Sequence, residues 1–261
     1  MASEAEDGTR LIVVGDDGSA MSDRVWEWLT AHGWPGWRVE VMTADESEIV
    51  WGDPPRLVEW EPSWARAKQV DGAKSVRYLK VAGDPRPMLA DRVDADLMVV
   101  GRINRDSQTQ LALGGTSEWL LHHPPAPLAV IGTLDLVDSV TVCADGSDHS
   151  RAAIEAFVSL PLSARSGVTV LAVDDGRADA EASAANGVEA LRGRVASVTS
   201  LVIKDSPTPA ILGHIESTQP DLVVLGTRGL TGWKRLRLGS TAGAVVRRVV
   251  CNALVASSRE A

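Results

Sequence analysis

The residues best suited to chemistry in this chain lie between Leu225 and Val246, in the stretch LGTRGLTGWKRLRLGSTAGAVV. Four glycines (226, 229, 232 and 239) surround a basic cluster of Arg228, Lys234, Arg235 and Arg237, and a Gly239-Ser240-Thr241 step opens an apolar run. Glycine suits a backbone that something approaches closely or that must take positive φ. Gly239, Ser240 and Thr241 fall where a helix would start, and free N–H groups with the positive end of the helix dipole favour an anion there. A hydroxyl at Ser240 or Thr241 adds a phosphate contact, and the basic residues add charge. The plain alternative is a glycine-rich turn in which Ser240 only caps the helix. Neither G-x-x-x-x-G-K-[ST] nor G-x-G-x-x-G occurs in the chain. The spacing present is Gly226-x2-Gly229-x9-Gly239-Ser240.

An internal repeat decides which elements hold this stretch. LIVVGDDGSAMSDRVWEWL near the start resembles SVTVCADGSDHSRAAIEAF in the middle, with Asp17 matching Asp145. Further on, Gly101 matches Gly226 and Gly114 matches Gly239. Two anchors in the same order imply two homologous halves, 1–135 and 136–261, with the seam in Gly132–Asp138. Apolar, β-branched runs predict strands at Val140–Ala144, Val168–Val173, Val198–Ile203, Leu222–Leu225 and Ala253–Ala256 in the second half. Helical stretches fall between them at Ser150–Leu160, Ala182–Val195, Pro209–Glu216 and Thr241–Val249. The first half follows the same plan with strands at Leu11–Gly15, Val39–Thr43, Val76–Val81, Leu97–Val100 and Leu128–Ile131. Its Glu46–Gly72 segment holds Pro54, Pro55 and Pro62, so a longer, irregular connection is expected there. Alternation of strand and helix predicts an α/β fold of two tandem open-sheet, Rossmann-like domains, each with a five-stranded, mainly parallel sheet flanked by helices.

Ligands of open α/β sheets bind beyond the carboxyl ends of the strands. Asp145-Gly146-Ser147 follows the first strand of the second half and Gly226 follows its fourth, so both stretches belong to one site. The chain here resembles a tandem universal stress protein. DLVVLGTRGLTGWKRLRLGSTAGAVV is similar to that family's ATP-binding signature, G-x2-G-x9-G-[ST], and ADGSDHS to its first-strand Asp loop. The resemblance covers both halves and implies an ATP site with Mg²⁺ in the second. It places adenine and ribose against Ala144, Asp145 and the backbone near Val173. Gly226, Arg228 and Gly229 would line the ribose and phosphate path, with Gly239, Ser240 and Thr241 on the phosphates. One departure is Asp205, where the first half has Gly83; an acidic side chain there is expected to crowd or repel the ligand. Members of the family pair through their last strands, which implies an intramolecular pseudo-dimer of two sheets through Leu128–Ile131 and Ala253–Ala256, and allows a homodimer beyond it.

The halves are unequal. Asn104 stands where Gly229 stands, and Gly115 replaces Ser240. Asp106, Gln108 and Gln110 occupy the loop that carries Lys234, Arg235 and Arg237 in the other half. Residues 1–135 hold 22 acidic and 13 basic side chains, so the whole net charge of −9 lies there. A polyphosphate prefers the neutral half. One competent site, beside a structural or partner-binding copy, is the expectation. Eight of the nine tryptophans fall in the first half. Trp26 is expected in the core, and Trp51, Trp60 and Trp64 form a candidate partner surface.

The remaining groups offer little catalytic chemistry. His122 and His123 are adjacent, which suits neither a metal pair nor a dyad. His149 is expected to be exposed, and Cys143 sits inside a strand. No G-x-S-x-G elbow surrounds Ser19 or Ser147. Three functional classes remain: an ATP-binding regulatory or stress-response protein whose nucleotide alters conformation or partner choice, a slow ATPase or nucleotidyl-transfer enzyme, and a non-nucleotide scaffold. The acidic balance, with a pI near 5.1, argues against nucleic acid. The acidic, polar first ten residues and the lack of an apolar run of about 20 residues predict a cytoplasmic protein with no membrane partner.

Overall fold

In the computed structural model, residues 8–45, 57–60, 70–102, 113–133, 136–229 and 238–258 are described. The first half runs β1 (Leu11–Gly15), α1 (Ala20–His32), β2 (Arg38–Asp45), β3 (Leu57–Glu59), β4 (Ser75–Ala82), α2 (Pro85–Ala90), β5 (Leu97–Gly101), α3 (Gly115–His122) and β6 (Leu128–Ile131). The second runs β7 (Ser139–Cys143), α4 (Asp148–Val158), β8 (Gly167–Asp174), α5 (Ala180–Leu191), β9 (Ser197–Lys204), α6 (Pro207–Thr218), β10 (Leu222–Gly226), α7 (Ser240–Arg248) and β11 (Asn252–Ala256).

The two sheets expected from the sequence are one. Eleven strands follow the order β3-β4-β2-β1-β5-β6-β11-β10-β7-β8-β9. Within each half the pairs are parallel, apart from β3 against β4. The halves join where β6 and β11 pair antiparallel, Leu254 opposite Ala129. This is the anticipated pairing of last strands, and ladder hydrogen bonds across it merge the two sheets. The first half has a sixth strand, β3, inside the segment read as irregular. It is short, antiparallel and at the sheet edge, which limits the unpaired backbone it offers.

The central strands are apolar on both faces because helices cover both: Ile12, Val13, Val14, Val223, Val224 and Val255 are each fully buried. Helix starts follow their caps. Ser147 accepts from the Ser150 N–H at 3.1 Å and opens α4, two residues before the predicted start. Asp179 does the same for α5 through the Ala182 N–H at 2.9 Å. Trp26, Trp28, Trp34 and Trp37 pack in the core of the first half, with Trp28 and Trp34 rings 5.7 Å apart. Trp60, expected on a partner surface, packs against that core with Lys80 Nζ over its ring. Trp51 and Trp64 lie outside the described residues.

Candidate functional site

Beyond the carboxyl ends of β7, β8 and β10 lies a cavity of about 310 Å³. All nine residues singled out from the sequence line it: Ala144, Asp145, Val173, Gly226, Arg228, Gly229, Gly239, Ser240 and Thr241. The doubly wound order makes this convergence, since β7 lies between β8 and β10. Loops distant in sequence therefore leave the sheet side by side.

The loop after β7 is a tight turn, with Gly146 at φ 78°. Asp145 Oδ1 accepts the Ser147 N–H at 3.0 Å, and the Ser147 hydroxyl reaches the Arg228 carbonyl at 3.4 Å, stapling this loop to the one after β10. The glycines serve different ends. A Cβ on Gly229 would stand 2.7 Å from Asp145 Oδ2, so glycine lets the carboxylate lie against the loop after β10. A Cβ on Gly226 would meet the His149 and Ser150 backbone at 2.7 and 2.8 Å. Gly226 is thus required by the first turn of α4 packing onto β10, whatever occupies the cavity.

Gly239, not Ser240, is the N-cap of α7, and no side chain caps the helix. The first-turn N–H groups, which a helix leaves unsatisfied internally, open on the cavity with the Ser240 and Thr241 hydroxyls beside them. The Gly239 N–H is itself tied to the Thr227 carbonyl at 2.6 Å, which fixes where the helix begins. This end of the cavity is built for negative charge. The opposite end is apolar, walled by Ala144, Leu171, Val173, Pro207 and Ile211. Cys143 also lines it, and burial pushes its thiol up to about 12, so it is no nucleophile.

Sequence reasoning missed the β8–α5 loop and the start of α6. Asp175 and Arg177 line the cavity, and Arg177 Nε lies 3.6 Å from Asp175 Oδ2. Their signal was position: both follow a strand next to β7 at its carboxyl end. Two expectations are corrected. Asp205 does not crowd the cavity; it is exposed and its Oδ1 accepts the Ser206 N–H at 2.6 Å. His149 is half-buried, and its Nδ1 accepts the Ser258 N–H at 3.1 Å, tying α4 to the chain beyond β11. Gly232, Lys234, Arg235 and Arg237 lie outside the described residues. Among the described residues no group of three His, Cys, Asp or Glu stands together to hold a metal ion, and no helix is long and apolar enough to cross a membrane.

The matching place in the first half is built differently. Asp16 stands where Ala144 stands and is buried, its Oδ2 accepting from Trp26 Nε1 at 2.6 Å and its Oδ1 from the Gly18 N–H at 2.7 Å. Asp17, the partner of Asp145, accepts from the Ser22 hydroxyl at 2.8 Å and the Ser19 N–H at 3.0 Å. Burial raises its pKa, but these hydrogen bonds outweigh it and hold the carboxyl below its ordinary value. Asn104, Asp106, Gln108 and Gln110 lie outside the described residues.

Comparison with known proteins agrees with this architecture. The family model described as the universal stress protein family matches residues 8–132 and 176–257. A universal stress protein of Mycobacterium tuberculosis is 27% identical over 232 residues, spanning 74% of this chain and 76% of the relative. The crystal structure of a universal stress protein from Archaeoglobus fulgidus superposes with a TM-score of 0.69 at 20% identity, covering 95% of this chain and 98% of that one. A functionally unknown protein of Pseudomonas aeruginosa gives 0.63 at 14% identity, with 95% and 92% covered. The two matched segments lie on either side of the β6–β7 connection, and the chain belongs to the universal stress protein family, with two tandem domains.

Proposed function

We propose that the second half binds one molecule of ATP in the 310 Å³ cavity and that the protein acts as a cytoplasmic, nucleotide-dependent regulator in the stress response. One observation carries the reading. The uncapped N-terminus of α7, the glycine loop after β10 and Asp145 meet in a single cavity that is polar at one end and apolar at the other. The adenine lies among Ala144, Leu171, Val173, Pro207 and Ile211, with Asp175 in reach of its exocyclic amino group. Asp145 takes ribose hydroxyls. The phosphates lie over Gly239, Ser240 and Thr241, with Arg228 beside them. Mg²⁺ comes with the nucleotide, because it prefers phosphate oxygens and water to a protein cage. Bound nucleotide bridges three loops and the start of α7, and so biases the conformation of that helix.

The test is calorimetric titration of the intact chain with ATP, with and without Mg²⁺. Binding of about one equivalent is expected. Gly239→Glu sets a carboxylate beside the phosphates and should abolish binding while the circular dichroism spectrum is kept. Unchanged affinity in that variant would place the site elsewhere. No binding to the wild-type chain would overturn the reading and leave the scaffold function, whereas rapid turnover of ATP would make the protein an enzyme.

A further inference from the structure

Arg102 takes no part in the cavity just described. It follows β5, where the second half has Thr227, and its side chain is 0% exposed. Its Nε, Nη1 and Nη2 are all buried with no hydrogen-bond acceptor among the described residues. A guanidinium stays charged in proteins, and an unpaired buried ion is among the most unfavourable features a fold can hold. Arg92 shows the usual solution: it is half-buried and bound to Glu40 at 2.6 Å and Asp94 at 2.8 Å.

Two further unpartnered groups stand around the same point, Gly132. A Cβ on Gly132 would lie 3.3 Å from Arg102 Nε and 3.0 Å from the Val250 carbonyl. Asn252, at the start of β11 and 0% exposed, accepts from the Gly132 and Thr133 N–H groups at 2.9 and 3.1 Å. Those bonds fix its amide orientation and leave Nδ2, buried, with no acceptor. The Thr133 hydroxyl is likewise buried without a partner. Arg24 adds a second guanidinium, donating to the Gly132 carbonyl at 3.2 Å. The inventory is almost all donor. Cys251 is no counter-ion, because burial pushes its thiol up to about 11 and keeps it neutral. Thr133, Val250 and Cys251, but neither Arg102 nor Asn252, line a second cavity, of about 630 Å³, between the C-terminal ends of α6 and α7, whose wall also carries Glu216, Asp221 and Arg248. It lies before Leu222, at the opposite end of β10 from the nucleotide cavity.

We propose that Arg102, Asn252 and Thr133 form an oxyanion site at the seam of the two halves, behind the Thr133 wall of this second cavity, and that it takes a phosphate group. A tetrahedral oxyanion supplies acceptors in several directions at once and satisfies donors contributed by both halves. Its occupant holds β6 to β11 and stabilises the paired arrangement. The site is independent of the ATP reading.

The experiment is thermal unfolding of the full chain in sodium phosphate against sodium chloride of equal ionic strength at pH 7, for wild type and Arg102→Met. Phosphate at millimolar concentration should raise the wild-type Tm by about 3 °C more than chloride does. Arg102→Met should lose that response and, without phosphate, be at least as stable as wild type, since an apolar side chain of similar shape replaces an unpaired ion. Methyl phosphate in a parallel titration separates the sources: a stronger response than inorganic phosphate means that the cavity carries the ester group of an organic phosphate, and a weaker one means free phosphate; either supports the site. A wild-type Tm that does not respond overturns the proposal. So does an equal response in Arg102→Met, which would assign phosphate to the α7 N-terminus. Should Arg102→Met fail to fold, Arg102→Lys decides: it keeps the charge and loses the fork, and its half-saturating phosphate concentration should rise about tenfold. An unchanged value counts against the site.

Discussion

The two halves carry five matching strands in the same order, yet they differ where the first strand ends. The second half places Ala144 there, beneath the apolar end of an open cavity. The first half places Asp16, a buried carboxylate held by Trp26 and Gly18, and ties the next residue, Asp17, to Ser19 and Ser22. Asp16 engages both of its oxygens, on Trp26 and Gly18, and Asp17 engages Oδ1 on Ser19 and Ser22. In the second half Asp145 Oδ1 accepts the Ser147 N–H, and Oδ2 lies beside Gly229 at the cavity wall. The open cavity of the second half thus goes with a small residue at the end of the first strand as much as with the glycine loop. The same contrast recurs one strand further: Thr227 is a buried neutral side chain, whereas Arg102 in its place is a buried guanidinium with no hydrogen-bond partner among the described residues.

The largest effect should come from moving the difference across. Ala144→Asp carries the first half's carboxylate into the second half's cavity. Ala144 is 5% exposed, and Ile154 stands where the first half has Trp26, so α4 offers the new charge no indole N–H. ATP affinity should fall by roughly a hundredfold or more and stability by about 3 kcal/mol, read by calorimetry and by denaturant unfolding. ATP binding close to wild type would show that position 144 does not face the base. The reverse change, Asp16→Ala, leaves the buried Trp26 Nε1–H without its acceptor and should lower stability by about 2 kcal/mol. It should not create a second site, since Ser22 still holds Asp17. A second equivalent of ATP in this variant would mean that Asp16 alone closes the first half.

Much of this comparison was legible in the sequence. The repeat and the apolar runs located ten of the eleven strands, because parallel strands buried on both faces are nearly continuous in Val, Ile and Leu. The glycine spacing and the Asp145 loop brought together nine residues that do line one cavity. Helix starts were off by one or two residues where Ser147, Asp179 and Gly239 set the cap, and α4 begins at Asp148 because Ser147 turns its hydroxyl back on the helix. What the sequence hid were matters of who meets whom. The role of Asp16 depends on Trp26, ten positions away on the facing side of α1, and Gly226 answers to a helix backbone that no motif mentions. β3 was hidden because three residues beside prolines carry no readable period. The merging of two sheets into one is a property of edges, which apolar patterning does not encode.

A pH effect of smaller size distinguishes the halves again. His32 ends α1, with Nδ1 bonded to the Trp28 carbonyl at 2.6 Å and Nε2 accepting the Val137 N–H at 3.0 Å. Leu160 stands in its place in the second half. Accepting at Nε2 requires the neutral ring, and burial lowers the pKa from 6.5. The unfolded chain therefore binds the proton first as pH falls, so stability is full above about pH 6.5 and declines below it. His32→Gln keeps a donor and an acceptor and does not titrate. The fall in Tm between about pH 6.5 and 5 should be shallower in that variant than in wild type. Parallel curves would mean that His32 does not sense the seam.

The smallest expected change in stability tests how the unequal halves communicate. α7 begins at the nucleotide cavity and ends against the other half, where Arg247 donates to Glu118 of α3 at 3.0 Å and lies 3.1 Å from His122 Nε2. The Arg247 hydrogen bond holds the Glu118 carboxyl below its ordinary 4.5, against a weaker opposing push from burial. Its contribution is therefore present above that value and lost as pH falls through the lowered one. The pair is substantially exposed, so Glu118→Gln should cost only about half a kcal/mol. Its effect on coupling should be larger than its effect on stability. If nucleotide at the start of α7 is felt in α3, amide exchange of residues in α3 should slow on addition of ATP to wild type and not to Glu118→Gln. Equal slowing in both would assign the communication to the remaining contacts between the halves, among them the β6–β11 ladder and the hydrogen bonds of Asn252 and His32.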